Sequence, residues 1–513
     1  MPIWNIIRRS TYHDSVTLMR MTRDLESLPG VRRAAVMMGT PANCALLHQA
    51  GLLNDEGEAA SANDLIIALE ADHLTAVHSA TAAVERILTA TSAASPTMFQ
   101  PWRPRTLRSA QQLLPGAKLT LISVPGIYAG AEAKKALLAG LHVMLFSDNV
   151  PLATEIELKR LARSRQLLLM GPDCGTAILK GVPLGFANAV SRGRIGLAAA
   201  AGTGLQQVSC LIDAAGEGIS QAIGVGGRDL SDEVGGIAME QALAALAADT
   251  TTAVVGVIGK PPGAATWTCL RQQIAQLGKP CVVCLAGARR EVFGSWRTAV
   301  TLEDAAQALV ALARGQEPAP VEFTVPPDAI ARLIADTARR THPAQRFIRG
   351  LYAGGTLAYE AVNLLQRELT GVAPGVDGGG EGHRVIDLGA DRFTIGRPHP
   401  MLDGAVRREW ILREGRDPAT AVLLLDIVLG YGAHQDPAGD ILPATQQVQR
   451  QAQASGRYLT VVASVCGTDR DPQHRPTQTA ALQAGGVVVM PSNAQAARLA
   501  ARIAARLGGE QSP

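Results

Sequence analysis

The sequence is poor in aromatic side chains and has no run of one charge sign. Phe, Trp and Tyr together make up 4% of the 513 residues, whereas glycine occurs 52 times. This balance favours parallel α/β layers, in which small residues let helices lie close to a sheet. The formal net charge is only +3, and the basic residues are not clustered. We therefore expect no nucleic-acid partner.

Long apolar runs and targeting signals are also lacking. No stretch of 18 uninterrupted apolar residues occurs, and the N-terminal arginines are not followed by the apolar core of a secretory signal. The 7 cysteines are scattered and odd in number. These features predict a cytoplasmic protein with reduced cysteines and no membrane partner.

Several well-known catalytic motifs are absent from the sequence. It has no phosphate-binding G-x-x-x-x-G-K-[ST] loop and no G-x-S-x-G nucleophile turn. No G-x-G-x-x-G follows the strand near residue 120, and His, Cys, Asp and Glu show no metal-ligand spacing. Classical nucleotide binding, an α/β-hydrolase mechanism and a bound metal are therefore not expected.

Strand-like and helix-like segments alternate along the chain, which is typical of doubly wound parallel sheets. Linkers rich in proline, alanine, serine or threonine interrupt this alternation near residues 91–104 and 315–327. They divide the chain into four predicted domains. These are a small α/β domain at 1–95, a Rossmann-like domain at 96–192, and two flavodoxin-like domains at 193–318 and 340–507.

The last two domains repeat one layout. Each begins with a strand, a glycine-rich turn and a helix, with A-G-T-G at 201–204 in the first copy and A-G-G-T at 353–356 in the second. Four further elements follow in the same order in both copies, although the second copy carries insertions such as 371–383. Five elements in one order indicate a duplication.

The two glycine turns are candidate anion sites, because unsatisfied N–H groups and the helix dipole attract phosphate or carboxylate at a helix start. Glycine lets a ligand approach the backbone, and threonine offers a hydroxyl. The alternative is that the glycines only permit tight packing of helix on sheet. The predicted binding residues are Gly202, Thr203, Gly204, Gly354, Gly355 and Thr356.

Other candidates follow the ends of predicted strands. In G-V-G-G-R-D (224–229), Gly226 and Gly227 suit an exposed turn, and Arg228 could clamp an anion or pair with Asp229 or Asp232. We take Arg228 as a candidate catalytic residue, and Gly226, Gly227 and Asp229 as candidate residues for binding phosphate or substrate.

Two further loops also carry candidate groups. In I-G-R-P-H-P (395–400), Arg397 and His399 are candidate catalytic residues on a proline-framed loop. In G-P-D-C-G-T (171–176), Asp173 and Cys174 could act as base or nucleophile, although turn chemistry explains an aspartate after proline equally well.

These motifs resemble two known groups of proteins. Residues 193–310 are similar to the ligase domain of the succinyl-CoA synthetase alpha subunit, and residues 348–505 to the carboxyl-terminal ligase domain of its beta subunit. The FdrA family is similar over nearly the full length. The motifs of that resemblance are M-M-G-T-P-A-N (37–43), F-S-D-N-V (146–150), M-G-P-D-C-G-T (170–176), G-G-R-D-L-S (226–231), Y-A-G-G-T-L-A (352–358) and G-R-P-H-P-M (396–401).

The resemblance implies a multidomain α/β enzyme subunit. It would hold a small N-terminal α/β domain, a Rossmann-like CoA-binding-type domain and two flavodoxin-like succinyl-CoA-ligase-type domains. FdrA proteins are described as acyl-CoA synthetases. Some serve allantoin breakdown in oxamate carbamoyltransferase, which interconverts oxalurate plus phosphate with carbamoyl phosphate plus oxamate.

The sequence departs from the synthetase pattern at three points. The alpha subunit carries a phosphohistidine in G-H-A-G-A, whereas Gly287 is followed here by A-R-R-E-V-F-G-S-W-R, without a histidine. The N-terminal CoA-binding glycine loop and the ATP-grasp domain are missing as well. These departures favour carbamoyl or acyl exchange with phosphate over ATP-driven CoA ligation, and leave CoA as the one candidate cofactor.

Three functions follow as hypotheses. The first is a transferase subunit that acts on small anionic substrates, namely phosphate with an acyl or carbamoyl group, together with partner subunits. The second is an acyl-CoA ligase that borrows a nucleotide-binding subunit. The third is a non-catalytic regulatory subunit.

Overall fold

The computed structural model describes residues 2–11, 13, 15–92, 104–285, 287, 289–376, 382–394 and 397–509. The chain divides into two compact units. The first holds 1–117, 123–125 and 390–403, and the second holds 118–122, 126–389 and 404–513. The predicted linker at 91–104 lies almost wholly outside the described residues. In the part of the chain that the structure describes, no helix has the length and apolarity needed to cross a lipid bilayer.

Strands and helices alternate as the sequence pattern predicts. In chain order the elements are β1 (Ile3–Arg8), α1 (Ser15–Glu26), β2 (Val31–Met38), α2 (Pro41–Gln49), α3 (Asp55–Glu58), β3 (Leu65–Ala71), α4 (Leu74–Ser92), α5 (Leu107–Leu113), β4 (Leu119–Ile122), α6 (Gly126–Leu138), β5 (His142–Leu145), α7 (Leu152–Ser164), β6 (Leu169–Met170), β7 (Thr176–Leu179), β8 (Val182–Gly185), β9 (Arg192–Ala199), α8 (Gly202–Ala214), β10 (Ile219–Gly224), α9 (Ile237–Ala248), β11 (Val254–Gly259), α10 (Ala264–Ala275), β12 (Cys281–Leu285), β13 (Val292–Phe293), β14 (Trp296–Thr298), α11 (Leu302–Ala313), α12 (Pro327–Arg340), β15 (Phe347–Tyr352), α13 (Gly355–Glu368), β16 (Val372–Pro374), β17 (His383–Asp387), α14 (Asp391–Thr394), α15 (Ala405–Arg416), β18 (Thr420–Val428), α16 (Pro437–Ala454), β19 (Thr460–Cys466), α17 (Arg475–Ala484), β20 (Val488–Met490) and α18 (Asn493–Gly508).

The first unit is built on a three-stranded antiparallel sheet with the order β1-β3-β2. Alternate residues of β3 point to opposite faces, and all but one of its residues are buried, so the sheet needs a cover on both sides. Helices α1 and α4 supply the larger core on one face. Residues of α2 and the turn after it fill a smaller core on the other face. This unit matches the predicted small α/β domain in type.

Strands β4, β5 and β6 of the second unit form a small parallel sheet. The chain next makes a hairpin, β7–β8, that joins the following sheet through β10. Lys180 and Gly181 between the two strands both have positive φ, which is the backbone that a two-residue hairpin turn requires. Residues 176–185 lie within the domain predicted at 96–192, but they hydrogen-bond to the next sheet.

The two predicted flavodoxin-like domains have equivalent sheets. The first contains β10-β9-β11-β12-β14 and the second contains β17-β15-β18-β19-β20, in that spatial order. Both are the 2-1-3-4-5 order of flavodoxin-like folds, with all neighbours within these five strands parallel. The predicted fold class, a multidomain α/β protein with parallel sheets, is confirmed. In such sheets ligands bind beyond the carboxyl ends of the first and third strands.

A buried ionic network joins α7 to the turn before α9. The Lys159 ammonium lies 2.6 Å from the Asp229 carboxylate and 2.9 Å from that of Glu155, and all three side chains are almost fully buried. Asp229 also accepts the backbone N–H groups of Ala238 and Met239 at the start of α9. Arg228, 2.8 Å from Glu155, supplies a second positive charge. The two cations therefore balance the two carboxylates, which is the condition for tolerating such burial.

Substituting Asp229 should destabilise the second unit strongly. In Asp229→Asn, Lys159 loses a charged partner in a buried site, and we expect a loss of about 3–5 kcal/mol in the free energy of unfolding. Urea denaturation would measure it. Lys134→Gln is the matched control, because the Lys134–Glu157 pair is exposed and should contribute less than about 1 kcal/mol. Equal, small effects in both variants would contradict this account of the network.

Candidate functional site

The two glycine loops lie against each other within the second unit. A Cβ atom built on Gly354 would stand 3.0 Å from Cγ2 of Thr203, and one built on Gly204 would stand 2.9 Å from Cγ2 of Thr356. Each threonine therefore contacts a glycine of the other loop. Any side chain at these two glycines would push α8 and α13 apart, so the glycines permit this close approach.

The second loop holds a carboxylate of the protein itself. Asp426, at the end of β18, is fully buried and accepts the N–H groups of Ala353 at 2.8 Å and Gly354 at 2.7 Å. Arg407 lies 3.3 Å from the same carboxylate. Burial raises the pKa of Asp426, and Arg407 and the two N–H groups oppose that rise. Asp426 therefore occupies two of the backbone N–H donors that were expected to bind a substrate anion. Ligand binding at Gly354 stays a prediction.

The strand registers identify the counterpart of Asp426 in the first copy. In each copy, the residue two positions before the glycine loop lies on the first strand and pairs with a residue of the third strand. Ala199 pairs with Ile258 in the first copy, and Leu351 pairs with Leu425 in the second. The residues that follow these partners, Gly259 and Asp426, are therefore equivalent. The same comparison of the pairing between the first and second strands of each copy shows that Val225 and Asp387 are also equivalent positions.

The first loop thus lacks both carboxylates that flank the second. A side chain at Gly259 would meet Leu230 at 2.7 Å, so the position cannot hold an aspartate without rearrangement. The residue before α8, Ala201, has no side chain that could cap the helix, and Gly202 is exposed. The first-turn N–H groups of α8 have no intrahelical acceptor. Of the two loops, the first has the electrostatics of an anion site.

Thr176 is a neighbour of the first loop that the sequence pattern did not indicate. Its hydroxyl oxygen would lie 3.7 Å from a Cβ on Gly202, the nearest atom to that position. Thr176 is the last residue of the G-P-D-C-G-T motif, in which we selected Asp173 and Cys174 instead. The motif therefore reaches the first loop through its threonine.

A small cavity lies beside the loop contact, between the two copies. Its volume is about 20 Å³, slightly more than one water molecule needs. The first copy lines it with the carboxyl ends of β11 and β12 and the start of α11, and the second copy with one face of α13. The lining residues include Gly259, Cys284, Leu302, Thr356, Glu360 and Arg367.

Glu360 is the carboxyl group among these lining residues, and the sequence pattern did not indicate it. Its side chain is nearly buried, and burial raises its pKa to about 7 despite hydrogen bonds that favour the charged form. The available signal was its position four residues after Thr356, which places both on one face of α13. Glutamate at such a position is common in helices, so the sequence alone did not single it out.

The predicted residues of the 224–229 turn form a separate cluster with the 171–174 loop. Arg228 lies 2.8 Å from Glu155, and it donates to the carbonyl of Val150 at 2.8 Å. These contacts do not include the alternative pairing of Arg228 with Asp229 or Asp232. Asp229 instead belongs to the buried Lys159 network. An anion-clamping role for Arg228 stays a prediction.

Gly226 and Gly227 border the same loop. A Cβ on Gly226 would lie 2.4 Å from the carbonyl oxygen of Pro172, and one on Gly227 would lie 3.9 Å from an Asp173 carboxylate oxygen. Gly226 also has φ near +90°. The glycine at 226 therefore serves close backbone packing, and a ligand-binding role for either glycine remains untested.

Cys174 is a poor candidate nucleophile in this fold. It is buried, its thiol lies 3.3 Å from the carbonyl oxygen of Gly224, and burial raises its pKa to about 12. A thiol must ionise to attack, and this one stays protonated near neutral pH. Asp173 is exposed and has φ of +56°, the turn conformation that the alternative interpretation expected.

Arg397 and His399 belong to the first unit, as part of the 390–403 segment. Arg397 is exposed and lies near Glu26 of α1. Burial raises the pKa of Glu26, and the positive charge of Arg397 opposes that rise. Burial lowers the pKa of His399 to about 4, so its ring is neutral at pH 7. Its Nδ1 accepts the N–H of Met401 at 3.2 Å. A catalytic role for either residue stays a prediction.

The loop contact predicts a specific pattern of stabilities. Gly204→Ala places a methyl group 2.9 Å from Cγ2 of Thr356, and such overpacking should lower the free energy of unfolding by about 1–3 kcal/mol. Thr356→Ser removes that methyl group, so the double variant should lose less than the two single variants added together. Urea denaturation of all three variants measures this coupling.

The matched control for that cycle is Gly202→Ala. The nearest atom to its new methyl group is 3.7 Å away, which is ordinary contact, so its stability should stay within about 0.5 kcal/mol of the natural protein. Strict additivity of Gly204→Ala and Thr356→Ser would mean that the two loops do not touch.

Two family models match the sequence. Residues 351–503 match the CoA-ligase family, which covers α13 and most of the second flavodoxin-like sheet. Residues 1–100 match a model described as AllF, heavy metal-associated domain.

The N-terminal residues do not fit a thiolate metal site. Heavy metals of the soft class prefer paired cysteine ligands. Residues 1–100 contain one cysteine, Cys44, and the 9–14 segment between β1 and α1 contains none. Among the residues that the structure describes, no group of three His, Cys, Asp or Glu side chains could hold a metal ion.

Known proteins are similar to this chain in sequence or in structure. A protein of Escherichia coli K12, YahF, described as uncharacterized, is 37% identical over 96% of this chain and 97% of its own. The succinate–CoA ligase [ADP-forming] subunit alpha 1 of Archaeoglobus fulgidus is 29% identical over 33% of this chain and 58% of its own. A solved acetyl-coenzyme A synthetase 1 of Ca. Korarchaeum cryptofilum covers 76% of this chain and 84% of its own at 15% identity, with a TM-score of 0.32. The chain therefore belongs to one family with YahF, and its residues 351–503 are of the CoA-ligase type.

Proposed function

We propose that this chain is an enzyme subunit that transfers an acyl or carbamoyl group to or from phosphate, and that the start of α8 binds the phosphate. The observation that carries the proposal is the contact between the two glycine loops. It brings two helix starts, the cavity and Glu360 to one place within the second unit. Two small groups held side by side in such a place react as if at very high concentration.

The difference in charge between the two loops supports a particular placement of the two substrates. Phosphate carries at least one negative charge near pH 7, so it would avoid the second loop, where Asp426 and Asp387 stand beside the backbone donors. The first loop has Val225 and Gly259 at those positions. The group to be transferred would then lie toward α13 and the cavity.

The segment after β12 supports phosphate exchange without a phosphohistidine. Strands β13 and β14 form a short hairpin there, in a stretch that contains no histidine. Phosphate would attack the carbonyl carbon directly, and backbone donors at the open start of α8 would stabilise the oxygen that gains charge. With oxalurate as substrate, as the FdrA resemblance implies, the products would be carbamoyl phosphate and oxamate.

The second candidate is an acyl-CoA ligase that works with a nucleotide-binding partner subunit. The match of residues 351–503 to the CoA-ligase family favours it. CoA would be its cofactor, and the 118–170 region its expected binding domain. In either case we propose that further subunits complete the enzyme, because the similar succinate–CoA ligase is itself named as a subunit.

Phosphate binding by two variants of Gly202 tests the proposal. The position is exposed and has room for a side chain. Gly202→Glu should place a carboxylate at the open helix start and weaken inorganic phosphate binding by about 10-fold or more, which is about 1.4 kcal/mol. Gly202→Gln, a control of the same shape without charge, should stay within a few-fold of the natural protein. Isothermal titration calorimetry measures both.

The same calorimetry separates the candidate functions. Heat with phosphate that Gly202→Glu abolishes, and no heat with millimolar CoA, is the result we expect. Heat with CoA but none with phosphate would overturn the transferase proposal in favour of the ligase. Equal phosphate affinity in the two Gly202 variants would show that phosphate does not bind at the start of α8.

A further inference from the structure

Glu360 stands one helical turn beyond the contact of the two loops. Thr356 and Glu360 are four residues apart on α13 and both line the cavity, so their Cα atoms are separated by about 6 Å. Thr356 is also the residue that touches Gly204 of the first loop. The Glu360 carboxyl group and the loop contact therefore border the same space.

Both copies hold this carboxyl group in place. The N–H of Leu302, the first residue of α11, donates to Oε1 at 2.7 Å, and the side-chain amide of Asn493, the first residue of α18, donates to Oε2 at 2.8 Å. Each carboxyl oxygen can still take part in another hydrogen bond. The group is thus fixed in orientation while remaining able to hold or release a proton toward the cavity.

The surroundings keep Glu360 ready to change charge near neutral pH. Its pKa is raised to about 7, first by burial and then by Glu303, while Asn493, Leu302 and Arg498 lower it. Within the described residues, the charged and titratable groups that face it are Glu303 and Asp304 on α11, Arg498 on α18, Cys284 on β12, Tyr352 on β15 and Arg367 on α13 itself.

Two of these neighbours cannot compete for its proton. Burial raises the pKa values of Cys284 and Tyr352 well above their ordinary values, so both stay neutral at physiological pH. Glu303 is bound by the side-chain amide of Gln495 and lies 3.6 Å from Arg498, on the α18 side, and does not line the cavity. Glu360 is therefore the carboxyl group that can serve the cavity.

We propose that Glu360 is the proton donor and acceptor of the transfer site, an inference that rests on the proposed function. In the direction that forms carbamoyl phosphate, an oxygen of hydrogen phosphate bonds to the carbonyl carbon, and the bond from that carbon to the leaving nitrogen breaks. Protonated Glu360 gives its proton to that nitrogen. The carboxylate then takes the proton that the phosphate loses, so the step is balanced and needs no other reactant.

The pH dependence of phosphate-dependent transfer by the assembled enzyme tests this role. Glu360 is protonated below its folded pKa, so activity should fall as the pH rises through about 7. Glu360→Gln should reduce kcat by roughly 100-fold or more and leave a rate that no longer changes around pH 7. Glu368→Gln is the matched control, because Glu368 lies on the same helix, has a raised pKa and does not line the cavity.

A second variant keeps the test decisive if Glu360→Gln does not fold. Asn493→Ala removes a donor that favours the charged carboxylate, so the pH at which activity falls should move upward. A residue with only a structural role would lower activity without moving that pH. An unchanged pH profile in Glu360→Gln or Asn493→Ala would overturn the assignment.

Proton uptake on phosphate binding separates this inference from the proposed function. An anion that binds beside Glu360 favours its neutral form, so calorimetry in two buffers at pH 7.5 should show more protons taken up per phosphate by the natural protein than by Glu360→Gln. Protonation of the phosphate itself contributes equally to both proteins. Equal proton uptake in the two proteins would remove Glu360 from the mechanism and leave the transferase proposal standing. No phosphate binding at all would remove both.

Discussion

The close contact between the two glycine loops is the constraint on which the candidate site depends. Thr203 fills the space beside Gly354, and Thr356 fills the space beside Gly204. This approach brings the start of α8 against the start of α13, beside the cavity between the copies. Neither sheet could place these groups together alone, because each contributes one side of the space. The proposed site therefore needs both halves of the duplication.

The two halves have diverged in charge. At the ends of the strands that flank the second loop the chain has Asp387 and Asp426, and at the same positions beside the first loop it has Val225 and Gly259. Asp426 occupies two backbone donors and is compensated by Arg407. One copy thus neutralises its own helix start, and the other leaves its helix start open. The two equivalent loops thus give one open helix start that faces a carboxylate-bearing loop.

Much of the architecture could be predicted from the sequence because it depends on local patterns. The alternation of short apolar strands with helices, and the glycine turn after the first strand of each copy, predicted the two flavodoxin-like sheets correctly. The roles of single residues were harder to predict. The Asp426 carboxylate accepts the N–H of Gly354, which is 72 residues away in the sequence. The Glu360 carboxylate accepts the N–H of Leu302, which is 58 residues away. Contacts over such separations leave no periodic signal.

The same reason explains why the surroundings of other candidates could not be predicted. Glycine and aspartate in G-V-G-G-R-D are as suitable for a tight turn over a buried lysine as for a ligand, and only the position of Lys159 distinguishes the two. Arg397 and His399 follow a strand of the second copy in sequence, yet the 390–403 segment is part of the first unit. Sequence order cannot reveal such a regrouping.

A crystal structure of the protein grown with saturating inorganic phosphate tests the central claim most directly. The account predicts one phosphate within hydrogen-bond distance, about 2.7–3.2 Å, of the N–H groups at 202–204, beside the cavity and away from Asp426. Phosphate bound on the N–H groups of 353–354 in place of Asp426, or bound elsewhere with the start of α8 empty, would contradict it.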